Sequence, residues 1–206
     1  ENARRAKVSK KSEPETAKRS RQIALDKARK QERIRTLASW NVNSIRQAHK
    51  KGFFLKTLEK MNADVVLLQE VRGAEDRIYR SKGLMQGLRD LGYQYFHWNV
   101  CSDPKLGTGY SGVAVISKYP TEKTEIGLNG VDVEGRVLTV YFEGLIVTTV
   151  YTPCSQLTGE DCERAVIRKQ FDEDLRAHVK AKQIELDANG TKRKDMVMGK
   201  LNVCLS

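Results

Sequence analysis

Residues 64–70 read DVVLLQE: Asp64, then Val65, Val66, Leu67 and Leu68 without a polar break, then Gln69 and Glu70. An apolar run this short, bounded by polar residues, is the signature of a strand buried on both faces. Signals of both kinds flank it. Upstream, Thr36–Asn43 reads as a strand, and Gln47–Met61 as a helix with Phe54, Leu55 and Leu58 on one face. Downstream, Ile78–Leu91 reads as a helix that stops at Gly92. Strands follow over Gly112–Lys118, Arg136–Phe142 and Leu145–Tyr151, and Glu143-Gly144 is a tight hairpin connection between the last two. A long helix is predicted from Gly159 to about Leu186, because Ile167, Phe171, Leu175 and Val179 recur every four residues as a buried stripe. An Asn189-Gly190 turn then leads to a last strand near Met196–Val203. The alternation implies an α/β fold.

Charge divides the chain differently. Of a formal net charge of +11 over 206 residues, most sits in residues 1–35, which hold 13 Lys+Arg against 5 Asp+Glu. The expected division is a basic arm over 1–35 and a domain over 36–206. The arm favours helix over Pro14–Arg35 but has only a thin apolar stripe, Ile23 and Ile34 with some Ala, so it reads as a solvated basic helix or one that orders on a partner. Clustered positive charge attracts polyanions by counterion release, which makes nucleic acid the expected partner. Cys101, Cys154, Cys162 and Cys204 have no CxxC spacing, which argues against zinc, and nothing suggests a disulfide framework. No apolar run is long enough to span a bilayer, and no membrane partner is expected. The chain opens on Glu1 without a Met, which is open to several explanations, a removed targeting peptide among them.

The strand ends carry the polar residues: Asn41 and Asn43 after the first, Glu70 after the second, Tyr151 at the end of a later one, Asn202 in the last. Strand ends are where α/β sheets build sites. Five words surround these residues in order: SWNVNSIR at 39–46, LLQEVR at 67–72, GYSGVAVISK at 109–118, EGRVLTVYF at 134–142 and VYTPCSQ at 150–156. Together they closely resemble the exonuclease III-like apurinic/apyrimidinic (AP) endonucleases of the endonuclease/exonuclease/phosphatase superfamily, with weaker matches in IRKQFD at 167–172 and MGKLNV at 198–203. The resemblance covers about residues 36–206.

What the resemblance implies is a four-layered α/β sandwich, two mixed sheets flanked by helices, that cuts DNA beside abasic sites with Mg²⁺. By position, Glu70 resembles the metal-binding carboxylate. Asn41 and Asn43 resemble the polar pair beside it, and Tyr151 the phosphate-facing phenol. Arg72 stands where Lys is usual. Glu134 and Arg136 resemble a structural ion pair with phosphate-side contacts, and Asn202 the residue that positions water.

The pattern is also broken. Where the family writes Gly-Asp-Leu-Asn-Val, this chain has Gly199-Lys200-Leu201-Asn202-Val203, so an ammonium replaces the carboxylate expected to orient or deprotonate water. Beside Glu70, it would pair with that carboxylate and compete with Mg²⁺. Pro153 is followed by Cys154 instead of Asn. His49, His97 and His178 lie outside any catalytic word and read as surface or packing residues. The C-terminal part of the fold is expected to be missing, its exposed side covered by protein partners. These features predict a non-catalytic, structural, nucleic-acid-binding subunit of a nucleoprotein assembly such as a mitochondrial ribosome; a buried Glu70–Lys200 pair would leave the site without metal, and a Lys200 that points to solvent or to a phosphate is the equal alternative. The alternative is an active Mg²⁺-dependent AP endonuclease or 3′ phosphodiesterase of DNA base excision repair. A phosphodiesterase acting on lipid or nucleotide phosphates is a third reading, which the GYSGVAVISK and EGR words disfavour. RNA is the expected ligand in the first case and DNA in the second. The expected compartment is mitochondrial, with nucleus or cytoplasm as alternatives.

Overall fold

The structure is a computed structural model that describes Ser20 and residues 34–128, 132–154, 163–188 and 193–202. The chain divides into two compact units, Glu1–Arg33 and Ile34–Ser206. Most of the helix expected over Pro14–Arg35 lies outside the described residues, as do the Asn189-Gly190 turn, Val203, Cys162 and Cys204. Ile34, assigned by sequence to the apolar stripe of the arm, instead packs against the core between two sheets.

The first sheet contains β1 (Leu37–Asn41), β2 (Val65–Gln69), β3 (Tyr95–Asn99) and β4 (Val113–Ser117) in the order β1-β2-β4-β3. β1 runs parallel to β2, and β4 is antiparallel to both its neighbours. The second sheet contains β5 (Lys123–Ile126), β6 (Val137–Phe142), β7 (Leu145–Tyr151) and β8 (Lys194–Lys200) in chain order. It is antiparallel up to β7, and β8 lies parallel to β7. The decisive run at 65–68 is buried throughout because each alternate residue enters a different core. Val65 and Leu67 join Val113, Val115, Leu138, Val140, Phe142 and Val147 between the sheets. Val66 and Leu68 join Ala114, Ile116, Ile45, Phe54, Leu58 and Leu88 on the helical side. Each such aliphatic side chain contributes roughly 1.5–3 kcal/mol by leaving water.

Two expected helices are each divided. The Gln47–Met61 stretch is α1 (Ile45–Lys50) and α2 (Phe54–Met61), separated at Gly52, whose φ of 79° lies outside the helical region. The Ile78–Leu91 stretch is α3 (Glu75–Tyr79) and α4 (Leu84–Asp90), with Gly83 in the left-handed region before α4. All four cover the outer face of the first sheet.

α5 (Glu163–Ala188) covers the outer face of the second sheet. His178 Nε2 lies 3.4 Å from Thr139 Oγ1 of β6, and Lys182 Nζ lies 2.6 Å from Glu125 of β5. Its apolar stripe is less buried than expected, since Ile167 is 44% exposed. Polar contacts supplement it at this interface. Helix, sheet, sheet, helix gives the four-layered α/β sandwich. β3 and β5 were not anticipated from sequence. β3 mixes apolar and polar side chains (YFHWN), and β5 (KTEI) is a mostly exposed edge. Among the described residues no helix is long and apolar enough to cross a membrane.

Candidate functional site

The parallel pairs β1–β2 and β7–β8 end side by side. Asn41 is in register with Gln69, and Tyr151 with Lys200. The carboxyl ends of four strands from both sheets therefore open onto one region, the place where α/β sheets present polar groups. The backbone there is unusual. Asn43, Ser44, Glu70, Arg72, Ser111 and Asn202 all have positive φ without being glycine. Each such residue costs about 1 kcal/mol or more, which the surrounding hydrogen bonds must offset. Ser44 N–H donates to the Glu70 carbonyl (2.7 Å), Val71 N–H to the Gly112 carbonyl and Arg72 N–H to the Ser111 carbonyl (3.0 Å each).

Glu70 is the centre of the site. Its side chain is only 4% exposed. Oε1 accepts from Asn41 Nδ2 at 2.7 Å and from Lys200 Nζ at 2.8 Å, while Oε2 pairs with Arg72. Burial pushes its carboxyl up, but the Lys200, Asn41 and Arg72 donors outweigh that and bring the pKa down to about 2. Lys200 is raised above its ordinary value, mainly by its bond to Glu70. Tyr151 is also raised, by burial first and by the Glu70 charge second. All three groups move away from neutrality. Efficient proton transfer at neutral pH needs a group whose pKa lies near it. This arrangement is that of an ion-paired lock.

Arg136 is 5% exposed in its side chain and holds the second half of the site. Its Nε donates to Glu134 at 2.6 Å, one terminal nitrogen to the Tyr151 carbonyl at 3.0 Å and the other to the Tyr110 hydroxyl at 2.8 Å. The expected Glu134–Arg136 pair therefore forms. Gly135 between them has a φ of 68°, and a Cβ there would stand 2.7 Å from the Asn99 carbonyl oxygen. The turn is fixed by Asp132, whose carboxylate accepts from the N–H groups of Arg136 (2.6 Å) and Val137 (2.7 Å) and from Asn99 Nδ2 (2.7 Å).

Two expected site residues sit less directly. Asn43 is exposed and gives its backbone N–H to Asn41 Oδ1 at 3.1 Å. Asn202 donates its amide to the Thr152 carbonyl at 2.6 Å, which ties it to the backbone after β7. Arg168 of α5 donates to the carbonyls of Pro153 and Asn202, 3.0 Å each. Asp132, Asn99, Tyr110 and Arg168 were missed by sequence reading. Two of them had a signal, Tyr110 by its place in GYSGVAVISK and Arg168 by its place in the weaker word IRKQFD. The three histidines are accounted for elsewhere, His49 at the Lys82 carbonyl, His97 at Thr121 and His178 at Thr139. Cys154 is exposed.

The residues present do not fit a resident Mg²⁺. Its hard oxygen ligands would have to start from Glu70, yet both carboxylate oxygens already face cations. Asn41 turns its amide nitrogen to Glu70 and its oxygen to the Asn43 N–H. Among the described residues no three His, Cys, Asp or Glu converge. A divalent ion about 4 Å from an ammonium meets repulsion on the order of 8 kcal/mol at an effective dielectric near 20, reduced where water screens the lysine head.

A model for the Endonuclease/Exonuclease/phosphatase family matches residues 38–193. An exodeoxyribonuclease of Bacillus subtilis (strain 168) is 36% identical over 171 residues, 81% of this chain and 58% of that protein. The DNA repair nuclease APEX1 of Danio rerio is 34% identical over 170 residues, 81% of this chain and 48% of that protein. The chain thus spans about half the length of these relatives. The 3′ phosphatase NExo from Neisseria, solved with a product DNA hairpin, superposes with a TM-score of 0.63 at 20% identity, over 83% of this chain and 59% of that one.

Proposed function

The chain belongs to the endonuclease/exonuclease/phosphatase family, on its exonuclease III-like AP endonuclease branch, and from that premise we propose that it is a non-catalytic member that holds nucleic acid as a structural subunit of a nucleoprotein assembly. One observation carries the reading: Lys200 Nζ lies 2.8 Å from Glu70 Oε1, where the branch has an aspartate to handle the attacking water. An ammonium whose pKa is raised donates and does not accept. Glu70, held ionised at about 2, has both oxygens engaged. The basic surplus of residues 1–35 supports contact with a polyanion. The assembly we propose is RNA-rich, with a mitochondrial ribosome as the model case. The composition of the complex that the native protein co-purifies with is the direct check on that part.

The test of the catalytic part is a nicking assay on an abasic-site duplex with Mg²⁺. The expected outcome is no cleavage above background. Robust cleavage that vanishes on Glu70→Gln overturns the proposal. That outcome would establish the second reading, a Mg²⁺-dependent AP endonuclease or 3′ phosphodiesterase, which draws on the retained Asn41–Glu70 contact and on Tyr151 at the same strand ends.

A further inference from the structure

We propose that Lys200 is a built-in counter-ion that takes over the charge-neutralising role of a divalent metal, so that this site grips a nucleic-acid phosphodiester without any metal. The inference deepens the nucleic-acid reading above and rests on it.

The buried Glu70 carboxylate lies between two cations that reach it from opposite sides. Arg72 follows the end of β2 in the first sheet, and Lys200 closes β8 in the second. Glu70 is 4% exposed, whereas Lys200 is 40% and Arg72 45% exposed. The anion is therefore hidden, while the two basic side chains are partly open to solvent. Lys200 has three N–H groups, and the contact with Glu70 engages one. This clasp carries one negative and two positive charges. A phosphodiester, with a single negative charge, brings it to neutrality. A site that depends on a metal has the opposite starting balance, with anionic ligands that need a cation before phosphate can approach.

The positive character continues beyond the clasp as alternating cations and phenols. Lys200 Nζ stands 5.5 Å from the centre of the Tyr151 ring. The Arg136 guanidinium is 4.9 Å from the same ring and 5.5 Å from the Tyr110 ring. Arg164 reaches the Tyr110 hydroxyl at 3.4 Å. Four cations, Arg72, Arg136, Arg164 and Lys200, thus stand against the carboxylates Glu70, Glu134 and Asp132, which leaves the site net positive. The rings hold the cations in place by cation–π attraction without cancelling their charge. A phosphodiester backbone presents repeated single charges to such a row.

The sign of the Mg²⁺ effect follows. Free Mg²⁺ competes with the clasp for the phosphate, so at matched ionic strength it leaves binding unchanged or weakens it. In a metal-dependent site it strengthens binding.

The experiment measures fluorescence anisotropy of a labelled abasic-site DNA duplex and, in a separate arm, a single-stranded RNA, with the full chain in EDTA and in Mg²⁺. Expected for the wild type is the same Kd in EDTA as in Mg²⁺, or a tighter one in EDTA. Lys200→Gln weakens binding in EDTA by about tenfold or more and lowers the slope of log K against log salt by about 1. Lys200→Asp gains Mg²⁺ dependence, and isothermal titration of the metal alone shows binding to this variant and none to the wild type. Thermal melts confirm that the variants are folded, and Arg72→Gln gives a second route should either Lys200 variant fail to fold. Binding that requires Mg²⁺, or that is indifferent to both Lys200 and Arg72, overturns this inference and leaves nucleic-acid binding standing. Absence of binding in both arms overturns the underlying reading itself. The preferred arm shows whether the phosphodiester belongs to DNA or RNA.

Discussion

Gly135 shows how one residue can hold a site in place. Its φ of 68° and the Asn99 carbonyl oxygen 2.7 Å from any added Cβ leave room for no side chain. Gly135→Ala is expected to lower the unfolding free energy by about 2–4 kcal/mol, read as a drop in the denaturant midpoint. Near-UV circular dichroism should report a loosened Tyr110–Arg136 contact in the same variant. At this scale the sequence was informative for most residues that stood inside the family words, Tyr110 being an exception. Glu70, Arg136, Glu134 and Tyr151 all lie at or beside strand ends, and of the two placements open to Lys200 from sequence, against Glu70 or out to solvent or a phosphate, the structure has the first. Asp132 and Asn99 were invisible because their work is to accept from and donate to backbone near 136–137, and any polar residue in a loop reads the same in one dimension. Arg168 stands in the weaker word IRKQFD, but its place on a helix hid its task. A basic residue on a helix is ordinarily a solvated one, and only the three-dimensional placement of the Pro153 and Asn202 carbonyls gives it a task.

Among the elements, α5 is held to the second sheet by charge as much as by apolar contact. Lys182 and Lys123 each lie 2.6 Å from Glu125, and the Tyr141 hydroxyl donates to the same carboxylate at 2.9 Å. Burial raises the Glu125 carboxyl, but these donors outweigh it and bring its pKa from 4.5 to about 2. A depressed acid stabilises the fold above its unfolded value, and that stabilisation is lost as pH falls from about 4.5 towards 2. Stability measured by urea unfolding should therefore decline across this window. Glu125→Gln should be less stable than the wild type at pH 6 and nearly equal to it at pH 2, while amide exchange in the middle of α5 accelerates at pH 6. An unchanged pH profile in Glu125→Gln would remove the ion pair from the account of how α5 docks. The helix itself was legible from its four-residue period. Its mode of attachment was not, because Lys123, Glu125 and Lys182 are far apart in sequence and individually look like surface charges. The division of two predicted helices at Gly52 and Gly83 has a simpler reason. Helical periodicity survives a short break, so apolar spacing alone carries on across a glycine that turns the chain.

For the whole molecule, two mixed sheets with helices outside them place the ends of β1, β2, β7 and β8 at one edge, and the basic surplus of residues 1–35 adds a second source of attraction for polyanions. These two sources should separate experimentally. Deleting residues 1–33 should flatten the salt dependence of nucleic-acid binding by several units of log–log slope, in keeping with the loss of many Lys and Arg. Lys200→Gln should change it by about 1. Equal slopes for the deleted and full-length chains would remove the arm from the interface. The 65–68 run demanded cover on both faces, and the four layers themselves were implied by the resemblance to the family. The order of strands within each sheet was not readable, since β3 and β5 carry too little apolar alternation to be seen as strands at all. The contact between Glu70 and Lys200 joins positions 130 residues apart. As the chain is synthesised from its amino end, the first sheet is complete once β4 has emerged, whereas β8 arrives only after the whole of α5. The charged clasp thus closes only after the first sheet and α5 have been made. Until then the carboxylate at position 70 lacks one of its two cationic neighbours, and a nascent chain stalled before residue 194 has a different electrostatic face from the finished protein.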